Sequence, residues 1–430
     1  MKRITVLAGD PSTLTHDSTP DLGGQGHLDW RTLLPYPNDV PSGHEYNGTW
    51  VPAETFWTAL LTYWETDGGR DANARYKKDD AGNVIGLGPS RVIFRIHQKD
   101  GNGVLDYFQT GFNAYGFRAD ISICEGDRDR SPALRVQGRN QVRDLLAIAF
   151  AHGTDANGQP PISSAKYRDL HLLAWFSTYT AKDTPDAVVV DAIFSLRKAC
   201  RHDPDNTDRS SHAVSREAME ARLNIPPTWG AAAHITRITD DAYAQRLIEL
   251  SFRIAMGDAV YFSRYAIEGV IGGDGGFCSR LLRRAGRTMV VHTYFTIGME
   301  LTARPTLIAM ATALGVPANI HRVKGKRAYV LTVTPSVVAG TLLHRNLQPL
   351  GINTKRVDQI ALARDGDALG RTRDKAALHA WVDRLYDHLD RHGDTPRRKL
   401  SHGQQHERID AWIDHGSMTP LTRSWGRWKL

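Results

Sequence analysis

The chain has 430 residues, room for two or three domains. With 41% hydrophobic and 23% charged residues it is neither disordered nor fibrous, and the absence of any run of about 18 apolar residues excludes a membrane-spanning helix. The net charge of +7 is compatible with a nucleic-acid partner, while three widely spaced cysteines (Cys124, Cys200 and Cys278) without a CxxC pair argue against a disulfide framework or a cysteine-based zinc site.

The first 50 residues read as an N-terminal extension. Their apolar stretch is too short for a secretory signal, so a cytoplasmic location of bacterial or phage type is expected. A first half is expected over 51–200. It opens with a helix from Phe56 that ends in Asp67-Gly68-Gly69. Strands follow at Asn73–Lys78 and Arg91–His97, joined by a Gly-rich loop. Then come a helix at Val104–Tyr115, strands at Arg118–Cys124 and Ala133–Gln137, and a helix at Asn140–Ala151. A linker at 201–255 holds one short helix near Val214–Pro226.

The second half, 256–365, repeats the plan. A helix from Ser263 ends in Asp274-Gly275-Gly276, and strands run at Phe277–Arg283 and Thr288–Met299. A helix at Ala303–Leu314, a hairpin of Asn319–Lys324 with Arg327–Thr334, and a helix at Ser336–Asn346 complete it. The expected fold class is α+β: two pseudo-symmetric αββαββα halves, each with a four-stranded antiparallel sheet, packed through their first helices. Residues 366–430 form a basic C-terminal tail. Its His402 and His406 stand four apart, with His415 beyond. That pair suits a metal only if a further ligand converges on it, and plain helix-surface histidines are the simpler reading.

The two opening helices carry the chemistry. Ala59, Thr62 and Thr66 in the first, and Ala266, Gly269 and Gly273 in the second, recur at i, i+3 and i+7, which is one helix face. A stripe of small residues lets two helices approach more closely than the usual distance of roughly 8–10 Å. Interior glycines cost about 1 kcal/mol each against alanine, so Gly269, Gly272 and Gly273 need such a purpose. In each copy an aspartate follows the last small residue. Packed side by side, the helices would bring Asp67 and Asp274 together, where divalent cations would offset their repulsion. Such a site suits phosphodiester hydrolysis. The Gly-Gly after each aspartate is expected to end the helix and turn the chain.

Polar and basic residues alternate along the strands. Asn73, Arg75, Lys77, Arg91, Arg95, His97, Arg118, Arg135 and Gln137 in the first half, and Arg280, His292, Tyr294, Arg322 and Lys326 in the second, are expected on sheet faces turned to DNA. A β-ribbon fits the major groove, where such side chains read base edges. A solvated sheet face is the alternative at any single position.

The segment Ile267-Glu268-Gly269-Val270-Ile271-Gly272-Gly273-Asp274-Gly275 resembles the signature of the LAGLIDADG homing endonucleases in their two-motif, monomeric form. Leu60-Leu61-Thr62-Tyr63-Trp64-Glu65-Thr66-Asp67-Gly68 is a degenerate match at the corresponding place. The resemblance implies a monomer that cuts double-stranded DNA at a long asymmetric site, with Mg2+ or Mn2+ held by Asp67 and Asp274. It also implies catalytic roles for Lys166 and Lys355 near the scissile phosphates, and for Gln98 in ordering water. Met299 stands where the second half would need such a glutamine. The alternative is a non-cleaving binder of the same fold, either an intron RNA maturase or a transcription regulator. No phosphate-binding glycine loop, GxSxG elbow or HExxH motif supports an unrelated enzyme.

Overall fold

The computed structural model describes residues 39–73, 75–88, 91–98, 103–123, 132–153, 216–225, 264–300, 304–325, 328–338, 353–392 and 400–416, with scattered positions between 170 and 190. A hairpin of β1 (Gly43–Tyr46) and β2 (Thr49–Pro52) leads into helix α1 (Ala53–Asp67). The hairpin sets His44 edge-on to Phe56 at 4.9 Å. Phe56, Trp57, Leu60, Tyr63 and Trp64 of α1 are all buried, so the bulky residues of the degenerate motif point into the first core. The small-residue face is left for another helix.

The first sheet comprises β3 (Gly68–Asn73), β6 (Arg91–His97), β7 (Ala119–Ile123) and β8 (Pro132–Gln137), in the antiparallel order β3-β6-β8-β7. The helices α2 (Val104–Ala114) and α3 (Arg139–Gly153) flank it, and α1 packs on α3. Val92, Phe94 and Ile96 of β6, with Leu134 and Val136 of β8, form its buried face. A separate two-stranded hairpin, β4 (Tyr76–Lys78) with β5 (Val84–Leu87), is inserted before β6. The short linker helix α4 (Arg216–Arg222) buries Met219 against this core.

The second half begins with α5 (Arg264–Gly273). Its sheet is built from β9 (Gly275–Arg284), β10 (Thr288–Glu300), β11 (Ile320–Arg322) and β12 (Ala328–Val333), in the antiparallel order β11-β12-β10-β9. Read from the first strand, this is the connectivity of the first sheet. The helices α6 (Arg304–Ala313) and α7 (Pro335–Val337) follow the two strand pairs. Strict alternation along β10 buries Met289, Val291, Thr293, Phe295, Ile297 and Met299. The intervening residues therefore occupy the other face.

Helix α8 (Thr354–Leu369) packs on β9 and β10. The segment beyond it, expected only as a basic tail, forms α9 (Lys375–Arg391) and α10 (His402–His415) around a third core centred on Trp381, Leu385 and Ile409. These helices clamp the β9–β10 turn. Met289 and Thr372 exchange backbone hydrogen bonds of 2.8 and 2.9 Å, and the Trp412 indole donates to the Thr288 carbonyl at 3.0 Å. Among the described residues no helix is long and apolar enough to cross a membrane.

Two expectations need correction. The strand expected at Asn73–Lys78 is β3 at Gly68–Asn73, and the chain does not turn after Asp67. Gly68 has φ −74° and ψ 155° and enters the strand directly. Glycine is needed here for space rather than for a left-handed conformation, because a Cβ would strike the Trp64 carbonyl and indole. Gly275 plays the same part, since a Cβ there would stand 2.7 Å from the Ile271 backbone. Arg75 and Lys77 consequently leave the first sheet. Arg75 precedes β4, and exposed Lys77 lies within the inserted hairpin.

Candidate nucleic-acid and metal site

Helices α1 and α5 pack against each other through glycine on one side and threonine on the other. A Cβ at Gly269 would overlap the Thr62 hydroxyl and come within 2.8 Å of Thr62 Cβ, and one at Gly273 would overlap the Thr66 hydroxyl. Gly272 sits against the Tyr63 phenol. Each threonine hydroxyl bonds back to its own helix, Thr62 to the Thr58 and Ala59 carbonyls at 3.0 and 2.9 Å and Thr66 to the Tyr63 carbonyl at 2.8 Å. The Ala59 carbonyl is 3.5 Å from the position of a Gly269 Cβ. Ala266 lies on α5, but its side chain is outside the described residues.

Thr66 and Gly273 are the last contact pair, and Asp67 and Asp274 are the residues immediately after them. Asp67 ends α1 and is half-buried. Asp274 is exposed, and its backbone N–H still bonds the Val270 carbonyl at 2.9 Å. Both carboxylates therefore follow directly on the point where the helices touch, each at the negative end of its helix.

Several groups counter that negative end in the second half. Asn353, the N-cap of α8, donates through Nδ2 to the Gly272 carbonyl at 2.7 Å and accepts from the Arg356 backbone at 3.3 Å. Arg356 donates to the Gly273 carbonyl at 3.1 Å and to Gln359 at 3.0 Å. Helix α8 thus brings its positive N-terminus and a guanidinium to the carbonyls just before Asp274. Burial pushes the Tyr63 phenol well above its usual range, against the opposing pull of Asn353 and Arg356. Asn353 and Arg356 stand on either side of Lys355 in the sequence, but only the capping geometry marks them. Lys355 itself lies in the first turn of α8 and is half-buried.

Strand register gives an independent correspondence between the halves. Gly68 pairs with Ile96, and Gly275 pairs with Ile297. Two residues beyond each partner lie Gln98 and Met299. Gln98 donates its backbone N–H to the Pro132 carbonyl at 3.2 Å, and its side-chain Oε1 is enclosed with no partner among the described residues. Met299 is buried in the second core. Lys166 lies outside the described residues.

The open face of the first sheet carries Arg91, Arg95 and His97 from β6 and Arg135 and Gln137 from β8. Arg95 and Arg135 are directly opposed, and Asp120 flanks Arg135 on its other side. Like charges opposite each other destabilise a sheet by roughly 0.2–1 kcal/mol, an arrangement suited to an anionic partner. His97 and Arg95 reach toward Gly69, with His97 Nε2 3.3 Å from where a Cβ would stand. Asn73 pairs with Arg91, and Arg118 sits exposed at the mouth of β7.

On the second sheet Arg280 is paired with His292, two residues before Tyr294, which is opposite Cys278. The Arg280 guanidinium lies 4.4 Å over the Tyr294 ring and donates to its hydroxyl. Arg284, which periodicity did not single out, reaches His292 Nε2 at 2.7 Å. Burial, then Arg284 and Arg280, lower the His292 pKa, which favours the neutral imidazole that can accept from Arg284.

Arg322 needs correction. It pairs with Tyr329, whose own partner is the buried Met299, and Arg304 from α6 lies over the Tyr329 ring at 6.0 Å. That places Arg322 on the helix side, and its exposure comes from β11 being the sheet edge. Its neighbour His321, opposite Val330, holds the open-face position. A one-residue offset exchanges faces. Lys326 lies outside the described residues.

No family model matches the sequence, and no curated protein matches it. Solved structures match in fold. Meganuclease I-SmaMI bound to uncleaveable DNA with a TTCT central four aligns over 78% of this chain and 97% of its own, at 14% identity and a TM-score of 0.51. I-SmaMI described as a LAGLIDADG homing endonuclease bound to cleaved DNA aligns over 84% and 100%, at 14% identity and a TM-score of 0.50. The I-LtrWI LAGLIDADG homing endonuclease bound to target DNA aligns over 79% and 97%, at 12% identity and a TM-score of 0.51. With two αββαββα halves of one connectivity, joined through the helices that end in Asp67 and Asp274, the chain has the two-domain LAGLIDADG fold.

Proposed function

We propose that this chain is a sequence-specific endonuclease that hydrolyses both strands of a long asymmetric DNA site with Mg2+ or Mn2+. The observation that carries this reading is the contact of Thr66 with Gly273. It supports the reading because Asp67 and Asp274, one from each half, are the next residues in sequence after that contact pair. Carboxylate oxygens at solvent-reachable helix ends suit a hard divalent cation that keeps part of its water shell. When bound there, such a cation supplies an acidified water and charge stabilisation at the leaving oxygen.

The remaining roles belong to side chains. Asp67 and Asp274 hold the cations. Arg356 and Asn353 satisfy the terminal carbonyls of α5, which keeps Asp274 in place. Gln98 orients water on its side of the site, while Lys355, with Lys166 in the first half, is assigned to stabilise phosphate charge that grows in the transition state. The arginine rows of the two sheets engage the duplex, one half-site each, and one chain suffices as a monomer.

The test is magnesium-dependent cleavage of DNA from the host locus with the encoding element removed. Asp67→Asn and Asp274→Asn should each abolish strand cutting and leave DNA affinity within a few-fold. Cutting by either variant at the unaltered rate would refute the assignment. Tight binding without any cutting by the unaltered chain would favour the non-cleaving binder.

A further inference from the structure

The C-terminal helices carry a cluster unrelated to the aspartate pair. Asp383 comes from α9, and His402 and His406 are one turn apart on α10. Three donor atoms converge: His402 Nε2 lies 2.8 Å from Asp383 Oδ1, His406 Nε2 lies 2.9 Å from the same oxygen, and the two Nε2 atoms are 3.0 Å apart. Around a cation held at about 2.1 Å, donors on adjacent octahedral corners are about 3.0 Å apart, and tetrahedral ones about 3.4 Å. The observed edges of 2.8–3.0 Å match the spacing of donors on one octahedral face.

A metal relieves a conflict that a hydrogen-bonded triangle carries when both rings are protonated at Nε2. If both imidazoles donate to the one oxygen, their N–H groups crowd each other along the 3.0 Å edge. Three lone pairs aimed at a common cation have no such conflict. The atoms behind His406 also fit. His379 Nδ1 contacts His406 Nδ1 with the rings within 9° of coplanar, and His379 Nε2 lies 3.1 Å from Asp410 Oδ1. A chain in which His406 Nδ1–H donates to His379, and His379 Nε2–H donates to Asp410, leaves His406 Nε2 bare for a metal. That support behind a ligating histidine is a recurring feature of metal sites.

A second group, Asp358 of α8 with His388 of α9 and His392 just beyond it, is different. Its histidines stand 3.7 and 3.5 Å from the carboxylate, which already holds the Arg391 guanidinium at 3.0 Å. A cation is in place there, and His388 is buried.

We propose that Asp383, His402 and His406 bind a divalent first-row transition metal of the zinc, cobalt and nickel class, with His379 as a positioning residue. Two imidazoles and one carboxylate favour these ions over magnesium. The ion would pin α10 to α9 and so fasten the clamp on the β9–β10 turn.

The test uses the full chain carrying Asp67→Asn and Asp274→Asn, which removes the acidic pair from the count. After chelation it is titrated with Co2+ in equilibrium dialysis with metal analysis, then with Zn2+ in competition. One Co2+ per chain is expected, displaced by Zn2+. Affinity should fall more than tenfold in His402→Gln and in Asp383→Asn, and about 10–100-fold in His379→Gln. His415→Gln should bind as before. His402 and Asp383 are exposed, so these variants keep their fold, which far-ultraviolet circular dichroism checks. Absence of bound Co2+ after dialysis, or binding unchanged by the His402 and Asp383 replacements, would overturn the proposal and leave a hydrogen-bonded cluster.

Discussion

Replacing Gly269 with alanine sets two effects against each other. In an unpartnered helix the change stabilises by about 1 kcal/mol. Here the added methyl would overlap the Thr62 hydroxyl and press on Thr62 Cβ at 2.8 Å. The hydroxyl is tied to the Thr58 and Ala59 carbonyls and cannot swing aside without losing those bonds. Overpacking of this kind costs about 1–3 kcal/mol, so the net expectation is a loss of about 1 kcal/mol. Thr62→Gly removes both obstructing atoms. In the double variant the alanine should be accommodated, giving a coupling of about 1–3 kcal/mol. Urea unfolding of the four proteins measures it. If Gly269→Ala stabilises by about 1 kcal/mol and the two changes add within about 0.5 kcal/mol, the helices are not in contact at these positions and the reasoning fails.

Gly273→Ala should displace Asp274 and cut the cleavage rate about 100-fold while DNA affinity changes little, as single-turnover assays with matched binding measurements will show. Arg95→Ala and Arg135→Ala should each lower the salt dependence of DNA binding by about one unit in log K against log salt if they meet phosphates. An unchanged slope together with relaxed base preference would assign them to base edges instead. His388 has its pKa lowered to about 4 by burial, with the neighbouring His392 adding to the effect. Its folded value lies below the unfolded one, so its contribution is complete above pH 6.5 and is lost as pH falls from 6.5 toward 4, an order of 3 kcal/mol. Unfolding curves across that range should differ in this sense from those of His388→Leu.

The repeat was legible because the physics that writes it is local. Small residues at helical spacing, an aspartate and a glycine pair recur in both halves, and the α5 motif with its following strands lies within one or two residues of where periodicity placed it. The β3 boundary was not legible. Gly68 and Gly69 look like a turn until the Trp64 indole is seen to occupy the space a side chain would need. Arg322 went to the wrong face because β11 has three residues, too few for alternation to declare itself. The capping of α5 by Asn353 and Arg356 spans 81 and 83 residues, and no local pattern encodes it. The same holds for Asp383, the ligand whose absence from the local sequence left His402 and His406 as an unremarkable pair.

The glycine–threonine seam joins two parts of a single polypeptide. Pairing of the halves is therefore unimolecular, and its effective concentration does not fall as the protein is diluted. A symmetric dimer with the same seam would come apart at low abundance and would present two identical faces. Covalent linkage lifts both restrictions. One face can carry opposed arginines at 95 and 135 while the other carries a tyrosine-stacked arginine beside a histidine, and either can change without altering the other.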